Sequence, residues 1–196
     1  MELPVNYWAV KCAEFSPDGR LIATGSRSDA RVWDAQTGRP ITEPLSTDGE
    51  VEEVSFSPDG SLLLTVSGRA GQVWNAKTGT KLFDLRHDGI VHHAEFNAAG
   101  TCIVTAGEDR AARIWQVNSG RLLHDLRHEA AVIHAAYSPD GKKVATVSRD
   151  NVARVWDAST GQQISERLSP PKPDKGHWVY SLRFADGGKR FEVASN

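Results

Sequence analysis

Residues 137–161 read YSPDGKKVATVSRDNVARVWDASTG, and most of this stretch recurs three times upstream. Trp33, Trp74, Trp115 and Trp156 follow one another at a constant step of 41 residues, and Gly38, Gly79, Gly120 and Gly161 keep the same step. A period of this size marks stacked supersecondary units, each too small to bury its apolar side chains alone. Ser138-Pro139-Asp140-Gly141 is a tight turn: proline presets φ at the second position and glycine accepts the positive φ that closes it. The same tetrapeptide stands at 16–19 and 57–60, while the third unit substitutes Asn97-Ala98-Ala99-Gly100 and keeps the glycine.

Each unit divides into short strands bounded by turn chemistry, the pattern of an all-β repeat. In the first, strands are expected over Ala9 to Phe15 and Leu21 to Ser26, with a third carrying Arg31-Val32-Trp33-Asp34. The fourth is interrupted by Pro40 and Pro44, which places it on a sheet edge. Val10, Val51, Val91, Val132 and Val179 lie five residues before the aromatics at 15, 56, 96, 137 and 184, and Ala13, Val54, Ala94, Ala135 and Leu182 lie two before. That spacing breaks strict alternation and predicts a bulge near the start of the strand. A fifth unit follows the Pro-rich segment 169–175, where the aromatic step lengthens to 47. Its strands, Val179 to Phe184 and Arg190 to Ser195, precede the end of the sequence.

Bulk composition excludes more than it selects. The 23 basic and 25 acidic residues leave a formal net charge of −2, without the basic excess of a nucleic-acid binder. No apolar run reaches the roughly 20 residues of a membrane span. The N-terminal MELPVNYWAVKCAEF lacks the design of a secretory signal. Two cysteines, Cys12 and Cys102, occupy different columns of the repeat and suggest free thiols and a cytoplasmic setting.

These residues resemble the WD40 repeat, the unit of β-propellers. Trp33-Asp34 and Trp156-Asp157 are literal WD dipeptides, and Trp74-Asn75 and Trp115-Gln116 are relaxed forms. The resemblance implies an all-β fold of four-stranded antiparallel blades, about four and a half in one chain, over 7–45, 46–86, 87–127, 128–169 and a partial blade at 176–196. It treats 1–196 as a single repeat domain forming an incomplete ring. It also implies a hydrogen-bonded histidine, Ser/Thr, aspartate and tryptophan bracing each blade: His87, Thr105, Asp109 and Trp115, then His128, Thr146, Asp150 and Trp156. The earlier blades depart from this, with Asn6 and Thr47 at the histidine position, Gly68 at one aspartate and Asp29 displaced. Val193 replaces the threonine of the last. Blades three and four are therefore expected to be the stiffer ones.

The family places loops between the fourth and first strands, and between the second and third, on one face that docks proteins or peptides. That face would carry Arg27, Arg69, Asp88, Glu108, Glu129 and Arg149, with the 169–177 insertion. The expected role is a non-catalytic scaffold for a protein or peptide partner, without cofactor, metal, nucleic acid or membrane. Two alternatives remain: a regulatory propeller within a larger signalling protein such as a bacterial protein kinase, or a structural module that completes its ring by homo-oligomerisation. His87, His92, His93 and His134 are a weak metal set, because neighbours on one strand point to opposite faces. No Gly-x-Ser-x-Gly elbow or phosphate-binding glycine loop occurs. Arg31, Arg113 and Arg154, two residues before their tryptophans, are expected on a solvated strand face with cross-strand partners.

Overall fold

The computed structural model describes residues 10–165, 179–185 and 190–195, and every element among them is a strand. The first sheet contains β1 (Cys12–Phe15), β2 (Leu21–Gly25), β3 (Asp29–Asp34) and β4 (Leu45–Ser46). The second contains β5 (Val51–Phe56), β6 (Leu62–Ser67), β7 (Ala70–Asn75) and β8 (Lys81–Arg86). The third contains β9 (Val91–Phe96), β10 (Cys102–Gly107), β11 (Ala111–Gln116) and β12 (Leu122–Arg127). β13 (Val132–Tyr137), β14 (Lys143–Ser148) and β15 (Val152–Asp157) form the fourth, and β16 (Val179–Ala185) with β17 (Arg190–Ser195) the fifth. Within each sheet consecutive strands pair antiparallel, in meander order.

The chain falls into two compact units, residues 1–86 with the first two sheets and residues 87–196 with the other three. In each, the core lies between successive sheets. In the first, Val51, Val54 and Phe56 of β5 pack with Ala23, Ala30, Val32 and Leu45. In the second, Val132, Ala135 and Tyr137 of β13 pack with Val104, Ala106, Ala112 and Ile114. Leu182 then meets Ala136, Ala145, Val147 and Val155. Neighbour-only packing of this kind is what a repeat too small for its own core requires.

The turns follow their chemistry. Gly19 N–H bonds the Ser16 carbonyl at 2.8 Å with φ at 70°, while the Ser16 hydroxyl donates to Asp18 at 2.7 Å. The anticipated bulge lies at the start of the inner strand: register shifts between Val51 and Glu53, between Val132 and His134, and between Val179 and Ser181. β4 is outermost and only two residues long, as Pro40 and Pro44 require. β1 is shorter than expected, beginning at Cys12, and Ala9 lies outside the described residues. Past β15 no fourth strand is described; an isolated bridge joins Trp156 to Gln163, matching Trp33 to Pro40 in the first sheet, and Ile164 N–H bonds the Val155 carbonyl at 2.8 Å. The readings of residues 1–5, Asn6 and 169–177 also fall outside the described residues, as does the Val193 side chain.

Candidate functional site

Four tryptophans open four buried polar networks. Each indole donates from Nε1 to a threonine diagonally across on the second strand: Trp33 to Thr24 at 2.8 Å, Trp74 to Thr65 at 3.1 Å, Trp115 to Thr105 at 2.9 Å and Trp156 to Thr146 at 2.8 Å. The register delivers this contact, because Ile22 pairs with Trp33 and Thr24 with Arg31, placing Thr24 and the indole on one face.

In the third sheet the network continues. The Thr105 hydroxyl donates to His87 Nε2 at 2.7 Å and His87 Nδ1–H donates to Asp109 Oδ1 at 2.8 Å. The other Asp109 oxygen accepts the Asp88 main-chain N–H at 3.0 Å and an Arg113 guanidinium N–H at 2.9 Å. Burial lowers the His87 pKa, aided by the Arg113 charge, and outweighs Asp109, so the ring is a neutral link with a defined tautomer. Burial alone would raise Asp109, but bonds from His87 and the Asp88 N–H, with the Arg113 charge, hold its carboxyl below the usual range.

The fourth sheet differs by one group. Thr146 meets His128 Nε2 at 2.8 Å, but His128 Nδ1 bonds the Ser148 hydroxyl at 3.1 Å, and Ser148 donates to Asp150 at 2.5 Å. Histidine and aspartate are thus joined through a serine. The cause is the residue two after the threonine: Gly107 in the third sheet, Ser148 in the fourth. A Cβ on Gly107 would lie against His87 Nδ1 and 2.7 Å from Asp109 Oδ1, so the direct bond exists only because glycine leaves that space. Gly107→Ala should destabilise the 87–196 unit by ~2 kcal/mol by overpacking, read from the urea midpoint of unfolding. An unchanged midpoint would mean that ring and carboxylate can separate without cost.

The first two sheets close their networks by other means. The Ser26 hydroxyl donates to Asp29 at 2.6 Å, so the displaced aspartate caps its own turn. In the second, fully buried Gln72 accepts from Thr65 at 3.4 Å and Ser67 at 3.3 Å, while Thr47 donates to the Gly49 carbonyl at 2.8 Å. Gly68, where an aspartate would stand, holds a tight turn at φ 53°.

The arginine column is corrected. Arg113 is 7% exposed and Arg154 9%, so they do not line a solvated face. Their alternation puts them on the tryptophan side of the strand, where covering is possible only if the guanidinium is bonded. Arg113 meets Asp109 and, across to β12, Asp125 at 3.4 Å; Arg154 donates to the Arg127 carbonyl at 3.2 Å. Arg31 is half-buried, donates to the Thr42 carbonyl at 3.0 Å and lies 5.1 Å from the Trp33 ring. The cross-strand partners are present; the solvation is not.

Of the candidate docking residues, Arg27 and Arg69 are exposed on loops of the first unit. In the second unit Asp88 and Glu129 are exposed, and Glu108 bonds Arg149 at 3.1 Å. Among the described residues no group of three or more His, Cys, Asp or Glu side chains is placed to hold a metal. His93 and His134, one repeat apart, stack with ring centroids 3.8 Å apart. Their equal spacing was visible in the sequence, but only as part of a weak metal set.

The family model described as WD domain, G-beta repeat matches residues 4–34, 79–116 and 120–157, more than half of the chain. No curated protein matches it. WD40 repeats generally mediate protein–protein interaction or scaffolding, and propellers built from them are typically non-catalytic. With the tryptophan–threonine bond in four successive sheets and the family match over three stretches, the chain belongs to the WD40 repeat family.

Proposed function

We propose that this chain is a non-catalytic scaffold that binds a protein or peptide through the loops joining its sheets and the turns between second and third strands. One observation carries the reading. The buried networks end in those segments: His87 and His128 sit at the start of the inter-sheet loops, and Asp109 and Asp150 on the second-to-third strand turns. The backbone there is held from beneath while Asp88, Glu108, Glu129 and Arg149 face outward. Ligand binding then costs little ordering entropy. Arg27 and Arg69 extend the same class of loop in the first unit. The Glu108–Arg149 pair, with both side chains well exposed, contributes little to stability and is free to exchange partners. The free thiols Cys12 and Cys102 fit a cytoplasmic setting.

The test is to pan a random peptide library against the full chain and map the enriched peptide by hydrogen exchange. Slowed exchange is expected in residues 87–90, 107–110, 128–131 and 148–151. Glu108→Arg and Arg149→Glu should each weaken that peptide about tenfold, equivalent to roughly 1.4 kcal/mol. Slowing confined to the opposite turns, 16–19, 57–60, 97–100 and 138–141, would overturn the proposal.

A further inference from the structure

One column of the repeat changes chemistry in the fourth sheet. The aromatic of the inner strand is phenylalanine at positions 15, 56, 96 and 184, and tyrosine at 137. Tyr137 pairs with Val144 as Phe56 pairs with Leu63, so its place in the sheet is unchanged. Phe56 shares a core cluster with Leu21, the first residue of β2. The residue in that place in the third sheet is Cys102, which pairs with Gln116 as Leu21 pairs with Asp34. The junction of third and fourth sheets thus combines a longer aromatic side chain with a shorter partner.

A cleft of about 460 Å³ lies at that junction, within the roughly 300–1,000 Å³ of small-ligand sites. Buried Tyr137 and half-buried Cys102 line its inner side, and the exposed residues Lys142 and Ser159 line its rim. Tyr137 is only 8% exposed, yet its hydroxyl has no hydrogen-bond partner among the described residues. A buried hydroxyl without a partner costs stability, and the phenylalanine of the other repeats would avoid that cost. A ligand that brings an acceptor removes it.

The polar groups of the cleft are donors. Burial, with Cys102 and Glu95 nearby, holds the Tyr137 hydroxyl above the usual phenol range, so it keeps its proton. Asn97 also lines the cleft. Its carboxamide oxygen already accepts the main-chain N–H groups of Thr101 at 2.9 Å and Cys102 at 3.1 Å, which fills both lone pairs and fixes the orientation of the amide. Asn97 Nδ2 donates to Thr101 Oγ1 at 3.1 Å and retains a second N–H; a Cβ on Gly141, another lining residue, would stand 3.8 Å from it. Negative charge is already present: Glu95 accepts the Tyr137 main-chain N–H, and Asp157 at the cleft is held down to about 2, chiefly by the Ser159 hydroxyl. Lys142 has Asp140 beside it. A ligand carboxylate would be repelled by these anions, and a neutral carbonyl is not.

We propose that the cleft between the third and fourth sheets binds a small uncharged molecule with an apolar body and a carbonyl oxygen (an amide, ketone or ester) that accepts from Tyr137. Cys102 and the Tyr137 ring provide the apolar wall. The cleft lies on the side of the first-to-second strand turns, opposite the loops of the proposed docking surface, so either reading can fail without the other.

Three matched sets of one-ring fragments are the probes: neutral benzamides and acetophenones, the corresponding benzoates, and the corresponding alkylbenzenes. Each is titrated into the isotope-labelled full chain, and binding is read from backbone amide shifts. The neutral carbonyl set is expected to shift the amides of Asn97, Cys102, Tyr137 and Gly141 saturably, and the other two sets to bind more weakly. Tyr137→Phe installs the residue of the other repeats and should weaken the neutral fragments about tenfold with the fold intact. Cys102→Leu installs the side chain found at Leu21 and Leu62, and should fill the cleft and abolish the shifts. Circular dichroism checks that both variants are folded. Benzoates or alkylbenzenes that bind as tightly as their neutral counterparts, an affinity unchanged in Tyr137→Phe, or no neutral fragment shifting these amides would each overturn the proposal.

Discussion

Acidification from about pH 7 to about pH 5 is expected to remove on the order of 6 kcal/mol of stability from the 87–196 unit. Three histidines drive it. Burial lowers His93 to about 4 against an opposing bond with the Ala135 backbone. Burial with the His93 charge lowers His134 to about 3. Burial with the Arg154 charge lowers His128 to about 3, against Asp150. All three have folded pKa values below the unfolded value of about 6.5, so the unfolded chain binds more protons between the two. Stability is therefore full above about pH 6.5 and falls as the pH drops toward 4. At pH 5 each ring contributes a loss of ~2 kcal/mol, and the total rivals the ~5–15 kcal/mol of an ordinary domain. Urea midpoints between pH 7 and pH 4.5 would measure this. The double variant His93→Phe and His134→Phe keeps stacked aromatics but cannot titrate, and should lose more than half of the dependence. A wild-type midpoint flat across this range would show that the rings ionise without unfolding.

The second large effect concerns the threonines. Thr105 and Thr146 are fully buried, and each hydroxyl serves an indole N–H and a histidine Nε2 at once. Thr105→Val or Thr146→Val preserves shape but leaves both partners buried and unsatisfied, at ~1–3 kcal/mol apiece. A loss of ~3 kcal/mol is expected for either. Thr24→Val removes the Trp33 bond and should cost ~1 kcal/mol. Equal costs at all three sites, measured by urea unfolding, would mean that the histidine adds nothing to the network. The same series tests whether the third and fourth sheets are the stiffer ones.

Everything repeated at short range was legible in the sequence. The constant 41-residue step announced stacked sheets; the Ser-Pro-Asp-Gly turns and edge prolines marked strand ends. The spacing of valine and aromatic located the bulge, because each of these features depends on backbone geometry within a few residues. Threonine and tryptophan meet because antiparallel register sets them diagonally across adjacent strands on one face. The Ser148 link was less legible: it turns on whether the residue two after the threonine has a side chain to interpose.

Tertiary structure alone decided which copies of a column are buried. Phe15 and Phe56 occupy the same place in the repeat, yet one is ten times more exposed, because packing depends on a neighbouring sheet and not on the strand that carries the residue. Arg113 and Arg154 resemble surface cations until the carboxylate and carbonyl that allow their burial are seen on adjacent strands. The His93–His134 stack joins residues 41 apart, and the pattern of either strand alone is silent on their contact. Local chemistry determined what each sheet is; the sheet beside it determined which of its charges and aromatic rings meet water.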